Sequence, residues 1–243
     1  MIEIENLHKS FDGKQVLNGI NLSINTGETM AIIGSSGCGK SVLIKHIVGL
    51  LSPDKGTVKV EGRIIDKLSP KELYEIRKKF GFLFQGSALF DSMTVEENVA
   101  LPLVENKSII SEKEIENIVA EKLELVGLQG TQKLKPAGLS GGMKKRAALA
   151  RALITVPEYI LYDEPTTGLD PIMSNNIDNL IKDLSEKLNV TSVVVTHDMY
   201  SVKNVASSVA MIYEGKIYFN GKPKDLLNSK DRVIIDFIAR TCV

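Results

Sequence analysis

The chain has 243 residues, and 30 Lys and Arg residues balance 30 Asp and Glu residues to a formal net charge of zero. This length predicts one large domain or a domain with an inserted lobe, and the charge balance argues against a dedicated nucleic-acid-binding protein. No apolar stretch approaches the roughly 20 residues of a membrane span, and the N-terminal segment has neither a secretory nor a transit pattern, so we expect any membrane role to come through a partner.

The first part of the chain alternates between apolar and polar residues, as half-buried strands do. The stretches "IEIENL" and "VLNGINLSI" predict strands of an antiparallel layer, and "TVKVEGRIID" predicts a hairpin about Glu61-Gly62. "TMAIIG" predicts a buried strand that leads into a glycine-rich loop and then a helix over residues 40–49. Ser69 to Glu72 combine a capping box with proline at the first helical position, and "FGFLF" predicts the next strand.

From Gln85 onward the pattern favours helices. Thr94 to Glu97 and Ser111 to Glu114 form two more capping boxes, and a further helix follows "LSGG". The helix after Ser111 stops at Gly127 and carries an apolar stripe on one face. The stripe consists of Ile115, Ile118, Val119, Leu123 and Val126. We therefore expect an inserted all-helical lobe over residues 87–155, between the two parts of an α/β core, residues 1–86 and 156–243.

The alternation of strands and helices then resumes. It comprises "YILYDE", a helix from Pro171, "TSVVVTHD", another helix and "SVAMIYEGKIYF". The stretch "DRVIIDFIARTCV" is expected to follow the last helix and to end the chain. The predicted fold class is α/β, a core with an antiparallel β layer and an inserted α-helical lobe.

The segment "GSSGCGKS" lies between a predicted strand and a predicted helix, as a P-loop does. Its glycines let backbone N–H groups surround phosphates. Lys40 would supply charge to the β- and γ-phosphates, and the Ser41 hydroxyl would bind Mg²⁺. The sequence therefore predicts the core of a P-loop NTPase. The residues expected at the nucleotide are Gly34, Ser35, Ser36, Gly37, Cys38, Gly39, Lys40, Ser41 and Val42.

The two cysteines are Cys38, inside this loop, and Cys242, next to last. Their positions predict no structural disulfide and fit a reducing cytosol. Cys38 is either a redox switch or a small residue that suits a tight loop.

Polar residues follow several predicted core strands. "YILYDE" ends in Asp163 and Glu164, and acids at the carboxyl end of a parallel strand face the crevice where ligands bind. We expect Asp163 to coordinate Mg²⁺, directly or through water, and Glu164 to polarise the attacking water. Gln85 either reaches Mg²⁺ or the water, or is only polar surface. His197 either contacts the γ-phosphate or only begins a helix.

The stretch "LSGGMKKRAALARAL" predicts a helix whose first residues also suit a phosphate. A Ser hydroxyl and two glycines stand at its start, although the chain already has a P-loop. Lys144, Lys145 and Arg146 either add positive potential there or form a solvated helix face.

The order of the P-loop, Gln85, "LSGGM", "YILYDEPTTGLD" and "VTHD" resembles that of ABC-type ATPases over nearly the whole chain. The resemblance implies that the substrate is ATP with Mg²⁺, and that two such subunits pair head to tail. Each "LSGG" helix then closes over ATP held by the other subunit's P-loop, so this chain requires a second ATPase subunit. Phe11 stands where the family has an aromatic residue that stacks on adenine. The residues that the resemblance places at the partner's ATP or interface are Ser140, Gly141, Gly142 and Asp170.

Met143 follows "LSGG" where most transporters have Gln or Glu, and "LFQGSALFDSMTVEENVALPL" completes a resemblance to the ATPases of Mla-type phospholipid transporters. This resemblance implies an integral membrane permease, an MCE-domain lipid-binding protein, and a peripheral position on the cytoplasmic face of the inner membrane. The alternatives are the ATPase of a different ABC transporter, or a soluble ABC ATPase of iron–sulfur cluster assembly. In some relatives a longer C-terminal extension binds the partner subunit, whereas this sequence ends soon after the last predicted helix. Whether an accessory STAS-domain protein docks is therefore left undecided.

Leu89, Phe90 and Met93 are apolar residues in a segment that the family places at the surface, where it receives the permease's coupling helix. The alternative is local packing under the helix that begins after Thr94. A hydrophobic staple would pair Met93 with an apolar residue at the fourth helical position, and that residue is Asn98. The pattern therefore favours a docking patch.

Overall fold

The computed structural model describes residues 1–106 and 110–241. Cys242 lies outside the described residues, so the expectation that it forms no disulfide stays a prediction. The strands are β1 (Ile2–Phe11), β2 (Lys14–Ile24), β3 (Thr29–Ile33), β4 (Lys55–Val60), β5 (Arg63–Ile64), β6 (Phe80–Leu83), β7 (Tyr159–Asp163), β8 (Thr191–Val195), β9 (Ser208–Tyr213) and β10 (Lys216–Gly221). The α-helices are α1 (Lys40–Ile47), α2 (Pro70–Lys78), α3 (Val95–Glu105), α4 (Glu112–Leu125), α5 (Gly141–Leu153), α6 (Pro171–Leu188), α7 (Met199–Val205), α8 (Pro223–Leu227) and α9 (Arg232–Thr241).

The strands form two sheets. The antiparallel layer has the order β2-β1-β4-β5, and the larger sheet has the order β10-β9-β3-β8-β7-β6. In the larger sheet β9, β3, β8, β7 and β6 run parallel, and β10 pairs antiparallel with β9 at the edge. Strands β3, β7 and β8 are buried along their whole length, which explains their continuous apolar runs. The predicted fold class is confirmed, and the loops after β3, β6, β7 and β8 leave the same edge of the sheet.

The predicted helix starts are confirmed by their side chains. At Ser69, Thr94 and Ser111 a hydroxyl accepts from the third helical N–H, and a Glu at that position accepts from the cap residue's own N–H. These reciprocal bonds satisfy backbone donors that the first helical turn leaves without partners. The capping boxes therefore define where α2, α3 and α4 begin.

Helices α3, α4 and α5 lie between β6 and β7 in the chain. Val119 and Leu123 of the predicted stripe are fully buried and share one apolar cluster with Leu83 of β6 and Ile160 of β7. The helical segment therefore packs on the parallel sheet instead of enclosing a separate core. The division of the chain at residues 87 and 155 stays a prediction.

The end of the chain differs from the expectation. The stretch "DRVIIDFIARTCV" does not follow the last helix, because its residues from Arg232 to Thr241 form α9. Asp231 begins this helix by accepting from the backbone N–H groups of Val233 and Ile234, at 2.9 and 3.2 Å. Ile234 and Phe237 are buried in a cluster with residues of β3 and β9. Over residues 1–106 and 110–241, no helix is long and apolar enough to cross a membrane.

Candidate functional site

The P-loop joins the end of β3 to the start of α1, and its glycines are required by close packing. A Cβ at Gly34 would lie 2.5 Å from the backbone oxygen of Ile212, and the φ of Gly34 is +150°. Gly39 has a φ of +107°, and a Cβ there would lie 2.6 Å from Cδ2 of Leu17. A residue with a side chain would shift the loop at either position. The spacing of the glycines therefore sets the shape of the loop.

Lys40 is a buried cation at the first position of α1, with 7% of its surface exposed. Its Nζ donates to the carbonyl oxygens of Gly34 at 2.8 Å and Ser35 at 3.2 Å. Oε1 of Glu164 lies 3.8 Å away. The ammonium is thus held between the P-loop backbone and an acid from the end of β7, where it can bind a phosphate.

The predicted magnesium ligands come together. The Ser41 hydroxyl donates to Oδ1 of Asp163 at 2.9 Å, and Gln85 lines the cavity that Ser41 also lines. Burial raises the pKa of the Asp163 carboxyl, and the hydrogen bond from Ser41 opposes that shift. Hydroxyl, carboxylate and amide oxygens are the donors that Mg²⁺ prefers. Among the described residues no group of three or more His, Cys, Asp or Glu side chains could hold a metal, so phosphate oxygens and water would have to complete the coordination.

Glu164 is fixed on several sides. It is 9% exposed, and its backbone takes the left-handed φ of +50°, which is uncommon for a residue with a side chain. Its N–H donates to the carbonyl oxygen of Val195 at 2.9 Å. Its Oε2 accepts from Thr167 Oγ1 at 3.1 Å and lies 2.8 Å from Nδ1 of His197. The carboxylate therefore has one orientation, with Oε2 engaged and Oε1 toward Lys40.

These residues surround a cavity of about 850 Å³, here called the P-loop cavity. Its lining includes the predicted residues Ser35, Ser36, Gly37, Gly39, Lys40, Ser41, Val42, Gln85, Glu164 and His197. Gln85 and His197 are both exposed and both line this cavity, so their roles at Mg²⁺, water or phosphate stay predictions. Gly34 and Cys38 do not line the cavity, and Asp163 reaches it through Ser41.

Cys38 packs against the buried cluster beneath the loop. Burial raises the pKa of its thiol. Because a thiolate is the reactive form, this environment supports a small loop residue over a redox switch.

One wall of the P-loop cavity was missed by the sequence predictions, because α9 was not predicted. The α9 residues in the lining are Val233, Asp236, Phe237, Arg240 and Thr241. Two signals were available: the Asp at position 231, which caps the helix, and apolar residues spaced for one helix face.

Phe11 does not line the P-loop cavity. It ends β1 with 40% of its surface exposed, and Nζ of Lys9 lies 5.5 Å from its ring centroid. The exposed ring offers the stacking surface that the prediction requires, but its role at adenine stays a prediction.

The "LSGG" motif also lies away from this chain's own P-loop cavity. Ser140 caps α5, where its Oγ accepts from the N–H of Met143 at 3.3 Å. Ser140 and Gly141 are exposed, while Gly142 is buried. Asp170 is exposed and caps α6. The structure of a single chain therefore does not bring these residues to the phosphates that its own P-loop would hold.

The three basic residues after the motif differ in their burial. Lys144 and Arg146 are half-buried, but Lys145 is only 5% exposed. The expectation of a solvated helix face is therefore wrong for Lys145, because its side chain packs beneath the loop that follows β6.

The predicted docking patch is present in altered form. Phe90 is 50% exposed, while Leu89 and Met93 are half-buried and Leu89 packs in part against the buried cluster of the helical segment, so Phe90 is the most exposed of the three predicted residues. Asn98 is fully buried and organises this loop, since its Oδ1 accepts from the N–H of Phe90 at 2.7 Å and its Nδ2 donates to the Thr94 oxygen at 2.9 Å.

Phe90 lines a groove of about 560 Å³, here called the docking groove. Sequence reasoning missed two exposed aromatic residues in this lining, Tyr74 and Phe84. Tyr74 belongs to α2 and Phe84 follows β6, and only the fold brings them into one groove with Phe90.

Residues 17–167 match the family described as ABC transporter. The chain is 43% identical over 238 residues to the intermembrane phospholipid transport system ATP-binding protein MlaF of Haemophilus influenzae, covering 98% of this chain and 90% of that protein. It is 42% identical over 237 residues to the probable ribonucleotide transport ATP-binding protein mkl of Mycobacterium leprae, covering 98% of this chain and 68% of that protein. Among solved structures, the dimeric post-hydrolysis state of the ATP-binding cassette MJ0796, bound to ADP and Pi, superposes with a TM-score of 0.84 at 34% identity, covering 92% of this chain and 99% of that one.

Proposed function

The chain belongs to the ABC transporter family, and we propose that it is the subunit that binds and hydrolyses ATP to power phospholipid transport between membranes. The observation that carries ATP hydrolysis is the convergence of Lys40, Glu164 and His197 on the P-loop cavity. An acid held 2.8 Å from an imidazole and 3.8 Å from an ammonium, beside a phosphate-binding loop, suits the transfer of a phosphoryl group to water.

We assign the steps of hydrolysis to these side chains. Lys40 neutralises charge on the β- and γ-phosphates. Glu164 orients the attacking water and accepts its proton as the bond from the γ-phosphorus to ADP breaks. His197 holds Glu164, and its ring, 53% exposed, is accessible to the γ-phosphate. ADP and inorganic phosphate leave as products.

We further assign the Mg²⁺ that accompanies ATP to Ser41, Gln85 and Asp163. A Mg²⁺ ion held by these residues would supply positive charge that neutralises the charge developing on the phosphates. The buried Asp163 carboxyl supports this assignment, because its raised pKa indicates a carboxylate whose charge is poorly compensated by the protein alone. Ser41 holds Oδ1 of that carboxylate at the cavity.

We infer that the working unit is a head-to-tail homodimer. Ser140 and Gly141 are exposed at the start of α5 and do not line this chain's own P-loop cavity, so they are available to ATP bound by a second copy. A helix start with exposed N–H groups and a hydroxyl suits the γ-phosphate. ATP would then stabilise the closed pair, and hydrolysis would release it.

The phospholipid substrate rests on the relatives. MlaF is named for intermembrane phospholipid transport, and this chain covers 90% of its length. The mycobacterial protein is named for ribonucleotide transport, and this chain covers 68% of it. We assign to this chain the partners that the Mla-type resemblance implies: an integral membrane permease and an MCE-domain lipid-binding protein, at the cytoplasmic face of the inner membrane. The docking groove beside Phe90 is the surface proposed for the permease, since it exposes aromatic side chains around a concave surface.

Affinity purification from a detergent extract tests this function. We expect a permease and an MCE-domain protein to co-purify with phospholipid, and the purified assembly to hydrolyse ATP. A permease without phospholipid would indicate a different ABC transporter. A soluble scaffold in place of a permease would indicate iron–sulfur cluster assembly and overturn the transport function.

A further inference from the structure

Lys145 is a buried lysine on α5 that binds main-chain oxygens of two other segments. Its Nζ donates to the carbonyl oxygen of Gln85, and the carbonyl oxygen of Glu164 lies 3.4 Å from the same Nζ. The side chain is 5% exposed, and it forms no ion pair with a carboxylate among the residues that the structure describes. A buried charge without a direct counter-charge is costly, so this position calls for a reason beyond packing.

The electrostatic surroundings agree with the geometry. Burial lowers the pKa of the Lys145 ammonium, while the nearby carboxylates of Asp163 and Glu164 raise it. The charge therefore faces the acidic end of β7, although its direct contacts are with carbonyl oxygens.

The two carbonyl groups belong to residues that the site uses. Gln85 follows β6 and Glu164 follows β7, and these strands are parallel neighbours. Two hydrogen bonds fix the left-handed backbone of Glu164. Its N–H donates to the carbonyl oxygen of Val195, the last residue of β8, and its carbonyl oxygen accepts from Lys145. Lys145 thus completes the support of a backbone conformation that is unfavourable for a residue with a side chain.

A second cation of α5 holds the same loop after β6. Arg151 donates to the carbonyl oxygens of Ser87 at 2.8 Å and Ala88 at 2.7 Å. Both of those residues have left-handed φ angles, +62° and +48°. The loop that carries Gln85 is therefore attached to α5 by two side chains, Lys145 and Arg151. Of these two, Lys145 also contacts the backbone of Glu164.

We propose that Lys145 is a positioning residue for ATP hydrolysis, which ties the helix beginning at Ser140 to the backbone of Gln85 and Glu164. This role rests on the proposed ATPase function. Because α5 carries at its start the motif assigned to the partner's ATP, any rotation of α5 is transmitted through Lys145 to the acid that polarises water at this chain's own site. Helix α5 and the residues that follow β6 and β7 would then move as one unit.

The variant Lys145→Met removes the charge and the donors while keeping the side-chain length. We expect kcat to fall about tenfold or more while KM for ATP changes less than about twofold, because Lys145 touches no part of the P-loop. Lys145→Arg retains the charge and the donors and is expected to recover at least about a third of the wild-type kcat. Lys122→Met is the matched control, since Lys122 is a lysine of the same helical segment, 13% exposed, that pairs with Glu121. Its kcat should equal that of the wild type.

Hydrogen exchange of the backbone amides gives a readout that does not depend on activity. Exchange in peptides that cover residues 85–88 and 164–168 should be faster in Lys145→Met than in the wild type, and unchanged in Lys122→Met. If the wild type itself failed to hydrolyse ATP, the proposed function would be wrong. Hydrogen exchange alone would then show whether Lys145 attaches α5 to the backbone of Gln85 and Glu164. This role of Lys145 would be overturned by a wild-type kcat in Lys145→Met, or by unchanged exchange in that variant. It would also be overturned if the loss of activity only followed a lowered Tm and Lys145→Arg did not recover kcat.

Discussion

Nδ1 of His197 lies 2.8 Å from Oε2 of Glu164, although the two residues follow different strands of the sheet. Because a carboxylate only accepts hydrogen bonds, Nδ1 carries the proton in this contact. Thr167 donates to the same oxygen at 3.1 Å. Both hydrogen bonds fall on Oε2, so Oε1 stays toward Lys40 and the P-loop cavity. The acid is thus oriented by the protein before any water arrives.

The variant Glu164→Gln should lose turnover and keep ATP binding. The amide preserves the size of the side chain but cannot accept a proton from water, so we expect kcat to fall by about 10²-fold or more. With ATP, the variant should accumulate as a dimer in gel filtration, because closure no longer ends in hydrolysis. Hydrolysis at the wild-type rate would remove Glu164 from the catalytic role.

The variant Lys40→Ala should weaken ATP binding and hydrolysis together. The phosphates would lose a buried counter-charge that the backbone of Gly34 holds at 2.8 Å. A fluorescent ATP analogue should show a Kd raised at least about tenfold, which corresponds to one charge-assisted contact of about 1.4 kcal/mol or more. An unchanged Kd would mean that the P-loop assignment is wrong.

The variant Phe90→Asp should prevent co-purification of the permease without changing ATP hydrolysis by the free subunit. Phe90 is half exposed in the docking groove, and a charge there removes apolar contact area that docking would bury. Leu188→Asp, at an exposed apolar residue that ends α6, is the control. Equal recovery of the permease with both variants would place the docking surface elsewhere.

Short-range signals predicted most of the elements that position the site. The capping box at Ser69 and the glycine spacing at Gly34 and Gly39 act within a few residues, so their structural meaning can be interpreted from the sequence. The burial of Lys145 could not be predicted in this way. Its neighbours Lys144 and Arg146 have the same charge, and the loop that covers Lys145 comes from a segment far earlier in the chain.

The same distinction explains the other differences. Leu89 lies beside the exposed Phe90, and only the packing of the helical segment decides that Leu89 is partly covered while Phe90 is not. The helix α9 had a local signal in Asp231, but its place in the cavity wall depends on a cluster with β3 and β9. Tertiary contacts therefore determine the features that sequence patterns missed.

Stability should depend on pH through Asp178. This residue of α6 is fully buried, its Oδ2 accepts from Ser201 Oγ at 2.8 Å, and its Oδ1 has no partner among the described residues. Burial raises its pKa to about 6, and Asp198 adds to the shift. Since the folded-state pKa lies above the value of about 3.9 in the unfolded chain, the folded state binds the proton more tightly, and stability falls as the pH rises from about 4 to about 6.

Asp178→Asn removes this titration. Its free energy of unfolding, relative to the wild type, should rise with pH across that window and level off above about pH 6, with a total change of at most about 3 kcal/mol. Urea unfolding at several pH values measures the difference. Asp183→Asn, an exposed position on the same helix, is the control and should show no such trend. A difference that is constant with pH would contradict the account of Asp178.

We propose that each ATP site is built from the P-loop of one subunit and the "LSGG" motif of the other. The test pairs a subunit carrying Ser140→Arg with a subunit carrying Lys40→Ala, each with a different affinity tag, and both with Glu164→Gln so that bound ATP is retained. In a head-to-tail dimer both lesions fall in one composite site. The other site keeps its own Lys40 and faces an intact Ser140.

The measurement is the amount of ATP that remains bound per doubly purified mixed dimer after gel filtration. We expect one ATP per mixed dimer, and none for dimers of either variant alone. If Ser140 instead served the P-loop of its own chain, each subunit would carry one damaged site. Mixed dimers that retain no ATP would therefore contradict the composite site.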